Sequence, residues 1–502
     1  RVPAAALRLT EGEARRRLEA LGYTDPNGAL RHIETLTAGL SRRAALQRAL
    51  LPVILSELAD APDPDAGLLA YRQVSEALGT SPWFLRLLRD EGAVASRLAS
   101  LLGTSRYVAN LLVRAPEALQ LLADDEQLRP RRRPELEVLM ATAARRQDEL
   151  AQTAHAIRAL RRVELLRIAF ADLLGLVEES EVRTGLSELA DATLSAALSA
   201  ARRLLVAEMG PAAAELSFAV IAMGRLGGQE IGYGSDADVL FVFDAASGAT
   251  EAAKHAHLIA ERLRTLLAMS STDPPLRLDA DLRPEGRNGA LVRSLDSYAE
   301  YYQRWSAVWE SQALLRARFC AGDPELGERF IQLIEPTRYP AGGPAAADVL
   351  EIRRLKGRVD AERLPRGADP NTHLKLGKGG LADVEWTVQL VQLRFADQVV
   401  GLRTTGTLAA LRAAVQAGKI EPDDAAALEA AWRFAGRARD AIMLVRDKPE
   451  DQLPKPGRVL QAVGRVLGYR AGFEAGQLID DYRRTTRRAR KVIESLFYDP
   501  AG

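Results

Sequence analysis

The sequence predicts an α+β fold, mostly helical, with one small mixed sheet in the middle of the chain between N-terminal and C-terminal helical regions. Three observations carry that expectation. Apolar residues recur at three- and four-residue spacing over most of the length. Short strand-like apolar runs gather in one central stretch. The 502 residues also exceed what a single hydrophobic core usually serves, so two to four domains are expected.

The elements follow in order. Thr10 and Glu13 make a capping-box pattern ahead of a helix at Ala14–Leu21. Leu46, Leu50 and Val53, then Leu85 with Leu88, then Val94, Leu98 and Leu101, mark further helices. Loops are expected at Ala61–Gly67 and Gly79–Pro82, and this first region reads as a packed helical bundle. Arg129 to Pro134, with two prolines and four arginines, reads as a solvated linker, with a basic contact patch as the alternative. Long helices are expected from Glu135 to about Leu173 and from Leu186 to Leu205. The strands are Ser217–Met223, Val239–Phe243 and Leu276–Leu282, the last with period two, and a helix at Thr250–Met269 separates the second from the third. From Ser294 the chain reads as helical to Phe497, interrupted at Pro336–Pro344 and Gly377–Gly380. This gives an N-terminal helical region at 1–128, a sheet-bearing domain at 129–340 with its sheet core at about 215–290, and a C-terminal helical domain at 341–502.

Composition narrows the function classes. Lys+Arg (68) and Asp+Glu (67) nearly cancel, for a net charge of +1, so nucleic acid is disfavoured as a partner. The single cysteine, Cys320, excludes an intrachain disulfide; following Phe319 at the end of an expected helix, it reads as a buried inert thiol. His255 and His257 lie two apart in a helix and point in different directions, and no histidine pair has metal-ligand spacing. No apolar run reaches the ~18–20 residues that span a bilayer, and no signal peptide precedes the first helix, so a cytoplasmic protein is expected. Arg1 in place of Met suggests a piece of something longer.

Chemistry concentrates between Met223 and Phe241. Glycines at 224, 227, 228, 232 and 234 follow the first strand, and Asp236-Ala237-Asp238 opens the second. Residues two apart on a strand project to one face, with Cα atoms ~6.5–7 Å apart. Two such carboxylates can converge on a pair of divalent cations about 3.5–4 Å apart, an arrangement suited to in-line phosphoryl displacement. Mg²⁺ suits it because it takes oxygen ligands and keeps triphosphate oxygens in its shell. Glycines let backbone N–H groups approach a polyphosphate. A lone Asp-x-Asp is weak, since Asp63-Pro64-Asp65 is one too and reads as a turn. Asp279 on the third strand strengthens the set, and Asp281, on the same expected face, rivals it.

The string Gly224-Arg225, ten residues, Asp236-Ala237-Asp238 and a later Asp279 resembles the nucleotidyltransferase superfamily that includes DNA polymerase beta. Gly224-Arg225-Leu226-Gly227-Gly228-Gln229-Glu230 and Ser235-Asp236-Ala237-Asp238 are similar to the glutamine synthetase adenylyltransferase family. So are Asp279 to Gly286, Trp309 to Arg318, and Lys375 to Trp386. Members carry two such halves in tandem, one adding AMP to glutamine synthetase and one removing it. This chain holds one motif set, and Gln312-Ala313-Leu314 resembles the C-terminal, adenylylating half. The resemblance implies a polymerase-beta-like sheet domain, ATP as substrate, two Mg²⁺ ions, glutamine synthetase as partner and a PII-type signal protein as another. It implies Asp236, Asp238 and Asp279 as catalytic metal ligands, with Gly224, Arg225, Gly227, Ser235, Arg283 and Lys378 as nucleotide-binding residues. Arg225 stands where lysine is common and Asp281 where arginine often stands. Glu310, Arg316 and Arg318 share an expected helix, as either site residues or a solvent-facing ion-pair ladder. Lys378 reads equally as a phosphate or partner contact and as part of a helix start ahead of Asp383 and Glu385. The alternatives kept open are phosphorolytic removal of AMP and a non-catalytic helical adaptor.

Overall fold

The apolar run at the centre forms β1 (Ser217–Ala222), which pairs antiparallel with β2 (Ala237–Asp244). Along β1 the side chains alternate between two cores. Phe218, Val220 and Ala222 face the first, while Ala219, Ile221 and Met223 face another on the opposite side of the sheet. Two short strands, β3 (Leu278–Asp279) and β4 (Val292–Ser294), both run parallel to β2, and β5 (Arg318–Gly322) pairs antiparallel with β1. The sheet is therefore mixed and five-stranded, with order β3-β2-β1-β5 and β4 also on β2. This computed structural model describes residues 10–79, 83–245 and 249–499. Of the loop expected at Gly79–Pro82, residues 80–82 lie outside the described residues, as does Arg1.

Helices make up most of the rest, as expected. Thr10 and Glu13 do form a capping box on the helix Glu11–Ala20. A 31-residue helix, Glu179–Met209, is buried nearly all round and packs against Arg133–Arg145, Leu150–Leu173, Ala249–Ala268 and β5. The first core runs without a break from Leu18 through one face of the sheet to Leu444. The C-terminal helices enclose a core of their own around Trp432, Tyr482 and Phe497. Among the described residues no helix is long and apolar enough to cross a membrane.

Five local expectations need correction. The helix expected from Glu135 to Leu173 is two, Arg133–Arg145 and Leu150–Leu173, and the Arg203 guanidinium binds the carbonyls of Ala144 and Gln147 freed at the break. Arg129–Pro134 is not a free linker, because Arg131 pairs with Glu164 at 2.6 Å and Arg133 with buried Asp191 at 3.0 Å. Asp63-Pro64 is a helix start rather than a turn, with Asp63 accepting from the Ala66 N–H at 3.1 Å. The third strand is only Leu278–Asp279. Beyond it Ala280 begins a turn held by the Arg283 side chain, so Asp281 does not share a strand face with Asp279. Finally, the helix Val308–Leu314 ends early, and Phe319 and Cys320 lie on β5 instead of at a helix end.

Candidate active site

The loop from β1 to β2 is shaped by close packing. Gly224 has φ +51°, and a Cβ there would overlap the Asp238 carboxylate. Gly232 lies against Asp440, whose Oδ1 accepts from the Tyr233 N–H at 3.2 Å, so the loop is pinned to the helix Pro422–Arg446. Ser235 closes the last turn: its Oγ accepts from the Gly232 N–H at 2.9 Å and its own N–H donates to the Gly232 carbonyl at 3.1 Å. Asp236 follows, exposed, and Asp238 lies half-buried on β2. The Cα of Asp238 is in direct register with that of Asp279 on β3.

Asp238 is pushed up to about 6, first by burial and then by the neighbouring charge of Asp279, with Asp236 and Glu385 adding to it and Lys375 opposing. Among the described residues no Lys or Arg nitrogen lies within 4.0 Å of Asp236, Asp238 or Asp279. Asp281 differs, pairing with Arg287 at 2.5 Å and Arg283 at 3.6 Å. Mutually repelling carboxylates without a direct ion pair fit a divalent cation, and their hard oxygen donors suit Mg²⁺. They do not form a closed cage: among the described residues no group of three or more His, Cys, Asp or Glu side chains is arranged to hold a metal ion. Mg²⁺ commonly completes its shell with phosphate oxygens and water.

Three ion pairs, the first buried and the others partly so, support the loop from behind. Arg316 donates to Glu230 at 2.8 Å, and Glu230 in turn accepts from the N–H of Thr407 at 2.5 Å and from its hydroxyl at 2.8 Å. Arg318 forks onto Asp191 at 2.8 and 3.1 Å and donates to the Leu226 and Gly227 carbonyls. Arg183 joins Glu179 at 2.6 Å and donates to the Glu230 carbonyl. Arg316 and Arg318 are thus clamps on the loop, not a solvent-facing ladder. Replacing Glu230 with alanine strands the Arg316 guanidinium in the interior and is expected to cost about 3–5 kcal/mol. A denaturant midpoint measured against the parent chain tests this.

The nucleotide-binding residues expected from sequence meet different fates. Gly224 and Ser235 border the carboxylates. Gly227 does not: its N–H donates to the Met223 carbonyl at 2.7 Å, and a Cβ would overlap the Arg316 carbonyl oxygen. Arg283 uses its side-chain donors on the carbonyls of Ala280, Arg287 and Gly289, so it organises the turn after β3. Arg225 is turned toward the C-terminal helices, 4.0 Å from Glu385, and its Nε and Nη2 are buried without a partner. Burial, with Arg439 and Arg183 nearby, pushes it down to about 10. Lys378 is exposed on the glycine loop, whose Gly379 packs against the Thr486 carbonyl. Sequence reading passed over Lys375, which the fold brings within electrostatic reach of Asp238. Glu310 is buried and caps its own helix at the Ala307 N–H. Asp383 holds the Gly379 N–H, Lys356 and Arg490, while Glu385 accepts from the Trp432 indole at 3.2 Å. Cys320 is buried against Asp191, and burial pushes its thiol well up, as befits an inert residue.

A mixed sheet with Asp-x-Asp opening one strand, a third carboxylate in register on the next and a glycine turn behind them defines a nucleotidyltransferase domain. The glutamate-ammonia ligase adenylyltransferase family matches residues 95–333, and the GlnD PII-uridylyltransferase family matches residues 353–497. The chain is 53% identical over 508 residues to the bifunctional glutamine synthetase adenylyltransferase/adenylyl-removing enzyme of Streptomyces coelicolor, covering 98% of this chain and 50% of that one. The proteins of the same name from Nocardia farcinica (53%, covering 98% and 49%) and Mycobacterium tuberculosis (51%, covering 97% and 49%) are similar as well. The chain belongs to the glutamate-ammonia ligase adenylyltransferase family, and it spans about half the length of the curated relatives it matches.

Proposed function

We propose that this chain transfers AMP from ATP to a tyrosine of glutamine synthetase, releasing pyrophosphate. The observation that carries the reading is the set Asp236, Asp238 and Asp279, with Asp238 and Asp279 in register and, among the described residues, no Lys or Arg nitrogen within 4.0 Å of any of the three. Asp236 and Asp238 would hold two Mg²⁺ ions, and Asp279 the one on the nucleophile's side. Bound there, Mg²⁺ supplies charge neutralisation at the leaving pyrophosphate and acidifies the attacking hydroxyl. A phenol with a pKa near 10 needs that help at neutral pH, and Asp279 would accept its proton. Gly224 keeps the Asp238 carboxylate pressed against the loop, and Ser235 fixes the turn that presents Asp236. The division into 1–128, 129–340 and 341–502 goes with this reading. So do a cytoplasmic location and a PII-type signal protein as second partner, the latter supported by the PII-uridylyltransferase match at 353–497.

The Gln312-Ala313-Leu314 wording favours the adding over the removing direction. Incubating the chain with unmodified glutamine synthetase, ATP and Mg²⁺ is expected to add the mass of one AMP per modified subunit and to release pyrophosphate. Offered adenylylated enzyme and phosphate, it is expected to release little ADP. Loss of AMP without any gain would reverse the direction. Binding without either reaction would leave the adaptor reading.

A further inference from the structure

We propose that the cleft beside Trp305 is where the protein substrate docks, with the Trp305 indole as anchor and Asp348 as counter-charge for a Lys or Arg of that substrate. This docking rests on the AMP-transfer reading and gives its second substrate a place.

The course of the chain brings this cleft to the carboxylate edge of the sheet. Asp238 stands near the start of β2, and β4 runs parallel to β2, so β4 heads away from the carboxylates. The helix that follows, Leu295–Arg304, doubles back. Its Tyr301 ring lies 5.2 Å from the Arg293 guanidinium of β4, and Arg293 pairs at 2.7 Å with Glu285 in the turn after Asp279. Trp305 comes one helical turn later, its N–H donating to the Tyr301 carbonyl at 2.8 Å. The next helix, Val308–Leu314, then leads to Arg318, which stands opposite Ala222 at the end of β1 nearest Asp238.

Trp305 is 72% exposed, an apolar surface of the kind that protein partners cover. Its chain neighbour Ser306 lines a cleft of about 480 Å³, walled by these two helices together with Pro324–Arg338, Ala346–Glu362 and Leu381–Phe395. Tyr302 is 7% exposed, and its hydroxyl, which has no hydrogen-bond partner among the described residues, faces this space. A hydroxyl so nearly enclosed has lost hydration without a bond in return, a cost that a peptide group entering the cleft removes. Ser311 and Thr337 add further hydroxyls, and Leu333 an apolar wall.

Charge selects the occupant. No Lys or Arg is among the lining residues, so nothing there would hold a triphosphate. Asp348 is the one carboxylate among them. It caps its own helix at the Ala345 N–H at 3.0 Å, and among the described residues no Lys or Arg nitrogen lies within 4.0 Å of it. A basic side chain of the partner answers that charge. Hydroxyls, one unpaired carboxylate and an aromatic rim suit a polypeptide segment, and the polypeptide the reaction requires is the protein whose tyrosine accepts AMP.

The test uses the whole chain with Trp305→Ala, Trp305→Phe, Asp348→Asn and Tyr302→Phe. It reads the KM for glutamine synthetase, the KM for ATP, kcat and thermal melting. Trp305→Ala is expected to raise the KM for glutamine synthetase about 10- to 100-fold, the range for truncating an aromatic anchor. The KM for ATP and the melting temperature should hold, and Trp305→Phe should recover a large part of the loss. Asp348→Asn keeps the helix cap and loses only the charge, while Tyr302→Phe loses only the hydroxyl. Each should raise the same KM about three- to tenfold, and the Asp348 effect should shrink as salt rises. A parent-like KM for glutamine synthetase in either Trp305→Ala or Asp348→Asn, while the parent chain transfers AMP, overturns the docking alone. So does a rise shared equally by the KM for ATP. A parent chain that moves AMP neither onto nor off glutamine synthetase overturns the AMP-transfer reading, and this proposal with it.

Discussion

Replacing Asp236 and Asp238 together with asparagine is expected to remove AMP transfer by about 10³-fold or more while leaving the fold intact. Asparagine keeps the shape of each side chain and loses only the charge, so a cation bound between the two strands loses its anionic ligands. The structure adds an expectation about stability. Asp236 is exposed, and Asp238 is raised to about 6 by burial and by Asp279. A carboxyl whose folded pKa lies above its unfolded value favours the fold below the unfolded value and loses that contribution as pH rises through the folded one. At neutral pH the ionised Asp238 therefore works against the fold, and the neutral double variant should melt at the parent temperature or slightly above it. A chain that loses transfer and stability together would mean that the aspartates are structural. One that transfers at the parent rate would remove the catalytic assignment altogether. A site that improves stability when disabled is the usual mark of function held against folding.

The legible parts of this site are those whose cause is local. A glycine turn after an apolar run and an Asp-x-Asp before the next are written within Met223–Phe241, and β1 and β2 form there. The parts that escaped sequence reading depend on partners far along the chain. Arg316 and Arg318 read as a helix face. Yet Arg316 meets Glu230, 86 residues earlier, and Thr407, 91 later, while Arg318 meets Asp191, 127 earlier. β5 is not legible in the sequence because Phe319 and Cys320 follow a helical pattern, and only pairing with β1 makes them a strand. The period-two run at 276–282 reads as a long strand, but β3 lasts two residues because Arg283 draws three carbonyls into a turn. Arginine accounts for 60 of the 68 basic residues, and Arg316 and Arg318 act as structural clamps here.

The second large effect separates two aspartates that the sequence leaves as rivals. Asp279→Asn is expected to lower turnover about 10²-fold or more, the scale of a lost metal ligand and proton acceptor. Asp281→Asn should cost less than about tenfold. The Asp279 Cα lies opposite that of Asp238 across the parallel β2–β3 pair, and its charge is felt there second only to burial. Its Oδ1 accepts from the Asp281 N–H at 2.7 Å, which fixes the rotamer, and among the described residues no arginine or lysine nitrogen lies within 4.0 Å of it. Asp281 has left the strand. Its carboxylate pairs with Arg287, itself 83% exposed, and leans on Arg283, so its charge is already answered within the turn. Exposed pairs of this kind contribute about 0–1 kcal/mol, and their loss should loosen the turn slightly without emptying the site. The two single variants, compared in the same AMP-transfer assay at saturating ATP and Mg²⁺, decide between them. A larger loss in kcat from Asp281→Asn would place the third carboxylate in the turn and leave Asp279 as the residue that shapes it.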